Sequence, residues 1–306
     1  MLYKEILGDY YLHSEEAFAI PALAEGFVPQ GLAYEKESDS FFVSGYMDRR
    51  KASPVFVIDR KTAEVKKRAE LLIPDGETYR GHAGGVSVLD GYAYIAGSMD
   101  THLFATPIAE LVRTDHAEKT VLSTKIALES EEDYVRASFT SSDENTLYVG
   151  EFHRWPVFFT HRSHRADHGT MRQRAYLFGF RFNEHWEADP VCVFSIPNTI
   201  QGAGFADGYV ILSQSHGLFP GTALAYSLQD LVCKEHRSVF GKEVPLYVLS
   251  EENCVKKTPL PPLPEEITMV DGKVYILFEA ATNRYRIGRY MGLDKVYATP
   301  MEYFIR

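Results

Sequence analysis

Two sets of polar residues recur at matching places along this chain, and together they could do acid/base chemistry on a small anion. The first set is Gln30, His82, Arg136, Gln201 and Glu265, each at or just before the start of a short apolar run, with Gly84 in the matching slot beside His82. The second is Tyr46, Ser98, Glu151, Gln214 and Glu279, each at the end of the apolar run that follows. Arg136 offers a planar fork of donors for a carboxylate or phosphate. Glu265, Glu279 and Glu151 can serve as acid and base if burial and repulsion separate their pKa values. His82 is a candidate general base near neutral pH. Gln30 and Gln201 can orient a polar substrate. Tyr46, Gln214 and Arg284, the last within Asn283-Arg-Tyr-Arg286, are further candidates for binding it.

What must position these residues is a hairpin that occurs five times. Gly31-Leu-Ala-Tyr34 with Phe41-Phe-Val-Ser-Gly-Tyr46 is the first, and Gly85-Val-Ser-Val88 with Tyr92-Ala-Tyr-Ile-Ala-Gly-Ser98 the second. The others start at Ala137, Gly202 and Glu266, so the anchors at 31, 85, 137, 202 and 266 are 54, 52, 65 and 64 residues apart. A period near fifty in a strand-rich chain predicts an all-β, five-bladed propeller with four-stranded antiparallel blades, spanning residues 1–306 as one domain. The first strand of each blade lines the axis. The second runs antiparallel to it, so the start of one and the end of the other share a rim. Symmetry thus brings both polar sets to one mouth.

Outer strands are expected at residues 54–59 and 65–73, then 103–106 and 120–128, with a helical turn at 108–112 between the last two. Further ones are expected at 175–182 and 191–196, then at 223–226 and 246–249. The fifth repeat has only residues 295–298 beyond its hairpin, so residues 17–22 are expected to supply its missing outer strand and close the ring. Residues 153–174 and 231–243 interrupt the period, the latter within repeat four. Long loops in compact folds are often functional. Pro259-Leu-Pro-Pro-Leu-Pro264 reads as a stiff connection between repeats.

The spacing His161-x-x-His164-x-x-x-His168 lacks a His-Glu-x-x-His carboxylate. It reads as a solvated basic loop, or a cationic lid over the mouth, and no metal is expected. The mouth itself offers few oxygens for calcium and carries an arginine. No phosphate loop, dinucleotide fingerprint or nucleophile elbow is present, and no cofactor is expected.

Composition narrows the partners. The 306 residues are 45% hydrophobic and carry a net charge of −10. Neither nucleic acid nor an anionic membrane surface suits that balance. No run approaches the ~20 apolar residues of a membrane span, and the start, Met1-Leu-Tyr-Lys-Glu5, does not read as a signal peptide. Three scattered cysteines, Cys192, Cys233 and Cys254, suggest neither a disulfide framework nor a zinc site, and a cytoplasmic location is expected. The oligomeric state is not legible.

The stretches Glu25-Gly-Phe-Val-Pro-Gln-Gly-Leu-Ala-Tyr34, Val43-Ser-Gly-Tyr46, His82-Ala-Gly-Gly-Val86, Gln201-Gly-Ala-Gly204 and Val274-Tyr-Ile-Leu-Phe-Glu279 resemble a family of bacterial five-bladed propellers. That resemblance runs over nearly the whole chain and implies the fold without an activity. Phe27-Val-Pro-Gln-Gly-Leu32 and Ser44-Gly-Tyr46 are also similar to the first repeat of propeller-type glutaminyl cyclotransferases. That family has an acidic residue in the equivalent stretch of its second repeat, where this chain has Gly81-His-Ala-Gly-Gly85, so the similarity implies the fold and not the cyclase reaction.

The expectation for function is an enzyme, a hydrolase or transferase, acting on a small polar or anionic metabolite or sugar derivative at the axis. A non-catalytic sensory or ligand-binding propeller, and a protein-interaction platform, are the alternatives.

Overall fold

The apolar runs pair into five mostly antiparallel sheets arranged as a ring, in a computed structural model that describes all residues except 1, 99, 114–118, 122–123, 169–170 and 216. Blade one comprises Phe27–Glu35, Ser40–Met47, Pro54–Asp59 and Val65–Leu72, from the axis outward. Blade two comprises Val86–Leu89, Tyr92–Ala96, His102–Pro107 and Thr124–Ala127. Blade three is built on Phe139–Ser142, Leu147–Gly150, Ala175–Phe182 and Ala188–Ile196. Blade four comprises Ile200–Ala206, Tyr209–Gln214, Pro220–Ser227 and Cys254–Pro262. Blade five has Pro264–Val270, Lys273–Phe278 and Lys295–Pro300, and its outermost strand is the N-terminal Glu15–Ala19, paired antiparallel to Lys295–Pro300. The innermost strands neighbour one another in cyclic order, blade five returning to blade one. Among the described residues no helix is long and apolar enough to cross a membrane.

The buried apolar residues fall into five clusters, one in each gap between adjacent blades. Side chains of a strand alternate between faces. Here both faces are buried, so Phe41 packs in the gap between blades five and one while Phe42 packs between one and two. The same alternation sends Tyr275 and Leu277 one way and Val274, Ile276 and Phe278 the other. This explains why the second strands read as continuous apolar runs.

Three outer-strand expectations are corrected. Residues 246–249 do not complete blade four. They belong to the hairpin Glu235–Val239 and Lys242–Val248, which joins blade three through a parallel pairing of Val193 with Leu246. Leu246 and Val244 are buried in the cluster between blades two and three, which is what draws the hairpin across. The insertion at 231–243 therefore extends blade three. The outermost strand of blade four is Cys254–Pro262, and it runs through the proline-rich stretch read as a connection. An edge strand tolerates proline because its outward N–H groups need no partner. Residues 120–128 are likewise not one strand. Lys119–Val121 pairs in parallel with the edge of blade one, Thr124–Ala127 pairs within blade two, and residues 122–123 lie outside the described set.

Ring closure depends on the N-terminal strand. Phe18 is buried and its ring lies 5.1 Å from that of Phe41 across the seam between blades five and one. Replacing it, Phe18→Ala, is expected to cost about 3–5 kcal/mol, the range for deleting a buried aromatic ring. Chemical denaturation checks this, and an unchanged midpoint would show that the seam holds without it.

Candidate functional site

At the start of the innermost strands the ladder is interrupted by one or two residues. The register shifts between Pro29 and Gly31, between Ile200 and Gly202, and between Pro264 and Ile267. The residues skipped are Gln30, Gln201, and Glu265 with Glu266. A bulge re-aims a side chain that would otherwise enter a blade interface. Here it turns Gln30, Gln201 and Glu265 towards the axis. The hydroxyl of Ser213, on blade four, donates to the backbone carbonyl of Glu265 and fixes the bulge of blade five against its neighbour.

These residues line a cavity of about 240 Å³ on the axis. Of the residues singled out in the sequence, Gln30, Tyr46, His82, Ser98, Arg136, Gln201, Glu265, Glu279 and Arg284 all border it. Glu151 and Gln214 do not. Glu151 is fully buried beneath the rim, where its Oε1 accepts the backbone N–H of Arg136 at 3.4 Å and its Oε2 that of Tyr176 at 3.2 Å. Gln214 turns its amide to the carbonyl oxygen of Asn198 at 2.8 Å.

Sequence reading did not single out several residues at the mouth. Phe152 directly precedes the insertion in blade three, Phe158 and Phe159 lie within it together with Arg154 of the expected basic loop, and Tyr285 comes from the segment after Glu279. The insertion is not simply a solvated basic loop. It holds a short hairpin, Ala166–His168 with Met171–Gln173, and His164 is buried between Glu151 (2.9 Å) and Asp133 (2.9 Å). The side chain of His168 lies outside the described set. Glu266 was visible only as a repeat anchor. Its carboxyl is wholly buried below Glu265, with Oε1 accepting the N–H groups of Ala203 (3.1 Å) and Ile267 (3.2 Å).

Electrostatics separates the carboxyl groups. Burial, then the nearby charges of Glu279 and Glu266, hold Glu265 well above the usual carboxylate range. Burial also lifts Glu279 to about 7, against the opposing pull of Arg284. Glu265 and Glu279 hydrogen-bond to each other, which requires one proton between them, while Gln201 donates to Glu265 Oε1 at 3.1 Å. Two carboxyls this close do not both ionise near neutral pH. Three guanidiniums, those of Arg136, Arg154 and Arg284, border the same cavity, so among the described lining groups positive charge exceeds negative. Burial, reinforced by Arg284, pushes His82 down to about 4. It stands neutral, its ring tilted by 32° against that of Tyr46 with centroids 4.5 Å apart, and its Nδ1 has no hydrogen-bond partner among the described residues. Tyr46 is itself pushed up to about 12 by burial and by the charge of Glu279, although Arg284 hydrogen-bonds to it.

Glutaminyl cyclase from Myxococcus xanthus is similar over 86% of this chain and 90% of its own, at 11% identity and a TM-score of 0.46. A protein from Thermus thermophilus described as an oxidoreductase (glucose dehydrogenase) is similar over 93% and 98%, at 13% identity and a TM-score of 0.44. A chain of the nidogen/laminin complex is similar over 82% and 72%, at 9% identity and 0.42. No family model and no curated protein matches the chain.

The proton held by Glu279 has a sign that can be checked. A carboxyl raised above its unfolded value stabilises the fold fully below the unfolded pKa, near 4.5, and that contribution is lost as pH rises through about 7. Glu279→Gln removes the titration. The wild type is therefore expected to lose stability relative to the variant between about pH 4.5 and 8. Parallel denaturation curves across that range would measure the difference, and a constant difference would place the carboxyl in an ordinary solvated state.

Proposed function

We propose that the axial cavity binds a small anionic metabolite and performs acid/base chemistry on it, a hydrolysis or group transfer. The observation that carries this reading is the proton-sharing pair Glu265–Glu279 facing three guanidiniums in one cavity. A buried carboxyl kept protonated can donate to a leaving group, and a partner that titrates near neutrality can take the proton back. Arg136 and Arg284 would hold the anion. Arg136 is already splayed over the Tyr134 ring at 5.8 Å, and Arg284 over Tyr285 at 5.2 Å, geometries that leave guanidinium edges for a ligand. Gln30 and Gln201 would orient the substrate. His82, neutral and with an unpaired Nδ1, suits a hydrogen bond to it better than proton abstraction at neutral pH. Phe152, Phe158 and Phe159 would exclude water. At about 240 Å³ the cavity lies below the usual range for ligand pockets, roughly 300–1,000 Å³, which favours a small substrate.

One observation favours the protein-interaction reading instead. Trp155, Val157 and Phe159 stand exposed, at 78%, 64% and 48%, on the loop that borders the mouth. Exposed apolar clusters mark contact surfaces.

A screen of small carboxylates, phosphates and sugar acids by thermal shift and calorimetry tests the proposal. Arg136→Ala is expected to weaken the best ligand by about tenfold or more, since a hydrogen bond to a charged group contributes about 1.5–3 kcal/mol. Glu265→Gln is expected to keep affinity and lose turnover. A ligand recovered intact from the wild type would make the site a binding module. Preference for neutral or cationic ligands, or indifference to Arg136→Ala, would overturn the anion assignment.

A further inference from the structure

We propose that Asp133, His161 and His164 form a binding site for one divalent transition metal of the zinc class, beside the axial cavity and separate from its acid pair. One donor atom from each of the three residues lies within 4.8 Å of the others. His161 Nδ1 is 3.2 Å and His164 Nε2 2.9 Å from the same oxygen, Asp133 Oδ1. In a tetrahedral site with bonds of about 2.0–2.2 Å, neighbouring donors stand roughly 3.3 Å apart. Both histidine–Asp133 separations lie within a few tenths of an ångström of that spacing, and the two imidazole donors need close no further than from within 4.8 Å.

The surroundings are those a bound metal requires. His164 Nδ1 lies 2.9 Å from Glu151 Oε2. A histidine that donates its Nδ1–H to a carboxylate presents the Nε2 lone pair outward in a fixed orientation, the carboxylate–histidine–metal arrangement. Glu151 is held in turn by the N–H groups of Arg136 and Tyr176 and is wholly buried, so its charge is aimed rather than solvated. The N–H of Tyr134 donates to Asp133 Oδ1 at 2.8 Å and fixes the carboxylate donor. Without a cation, two carboxylates converge on one buried imidazole, and a proton must stand where the metal's charge would be. His161 Nδ1 faces the Ser163 hydroxyl at 2.7 Å, a contact within one turn that the metal would displace.

The donor set accounts for what the sequence spacing lacked. A His-x-x-His pair with no adjacent carboxylate is weak evidence for a site, but here the carboxylate arrives from a different segment, Asp133. Two imidazoles and one carboxylate suit zinc, and also iron(II) or manganese(II) in facial sites. Asp133 and His161 remain partly exposed, at 13% and 18%, so a fourth position is open to water or a ligand. The metal would tie the insertion carrying Phe158 and Phe159 to the segment carrying Arg136, two walls of the axial cavity.

The test uses the full chain, stripped with chelator and titrated with zinc chloride by calorimetry, then with cobalt(II) for the visible absorption of four-coordinate sites. One equivalent is expected in the wild type. His161→Ala and Asp133→Asn, each checked for native circular dichroism, are expected to lose it, and either one that folds is sufficient. Glu151→Gln is expected to weaken binding by about 10–100-fold, as for other partners of ligating histidines. Absence of binding at micromolar zinc, or a wild-type isotherm in His161→Ala or Asp133→Asn, would overturn the site.

Discussion

Crowding at the axis is the constraint on which the rest of the structure depends. Five innermost strands converge there, and their backbones come close enough to exclude side chains. A Cβ on Gly31 would stand 2.5 Å from the backbone nitrogen of Val86 in the next blade, and one on Gly85 would stand 2.2 Å from that of Thr140. Glycine is required at such approaches. Immediately before these positions, on the rim side, the strands separate and the bulges occur. The same convergence that forbids side chains at one level therefore concentrates polar ones at the next. In blade five the slot equivalent to Gly31 and Gly85 is filled by Glu266, the second residue of the bulge, whose Oε1 lies 2.5 Å from where a Cβ of Gly202 would be. The glycine of one blade makes room for the carboxyl of another, which lies wholly buried next to the cavity-lining Glu265.

Three buried carboxyl groups, Glu265 and Glu279 at the cavity and Glu266 beside them, would be costly if all were charged. The structure meets this cost in two ways. Protons remain on the pair Glu265–Glu279 and on Glu266, all raised by burial, and Arg284 partly offsets the pair. Glu266 accepts the backbone N–H of Ala203 in blade four and that of Ile267 in its own strand. The result in a chain of net charge −10 is a cavity of locally opposite sign. Because the fields of charges beyond a Debye length are screened while those within a low-dielectric cleft are not, the local sign governs what the mouth selects.

The blades and most of the mouth were legible in the sequence because both follow from one repeated pattern. Once the hairpins are aligned, Gln30, Gln201 and Glu265 fall at one position, and the ring brings them together. What was not legible is what departs from the repeat. Residues 246–249 carry the apolar pattern of a blade-four strand, yet they bury Leu246 against blade three. Cys254–Pro262, with its lysines and prolines, hides a genuine edge strand that needs neither outward N–H groups nor an apolar outer face. Glu151 occupies the position equivalent to Tyr46 and Glu279 but is withdrawn from the mouth, because the insertion that follows it supplies His164 as a nearer partner. No single-repeat pattern contains that information, since the partner exists in one blade only.

Glu151 then becomes the residue through which the insertion and the cavity are coupled. Its Oε1 takes the backbone N–H of Arg136, whose side chain borders the cavity, and its Oε2 faces His164, which anchors the loop that bears Phe158 and Phe159. A carboxylate wholly without solvent and held by two backbone donors has little freedom to move alone. Any shift of the loop must therefore move Glu151, or break its bond to His164 and leave a buried charge with fewer partners, which costs several kcal/mol. The position of the aromatic cover and the position of the anion-binding arginine are thus set by one buried group, although they belong to different segments of the chain.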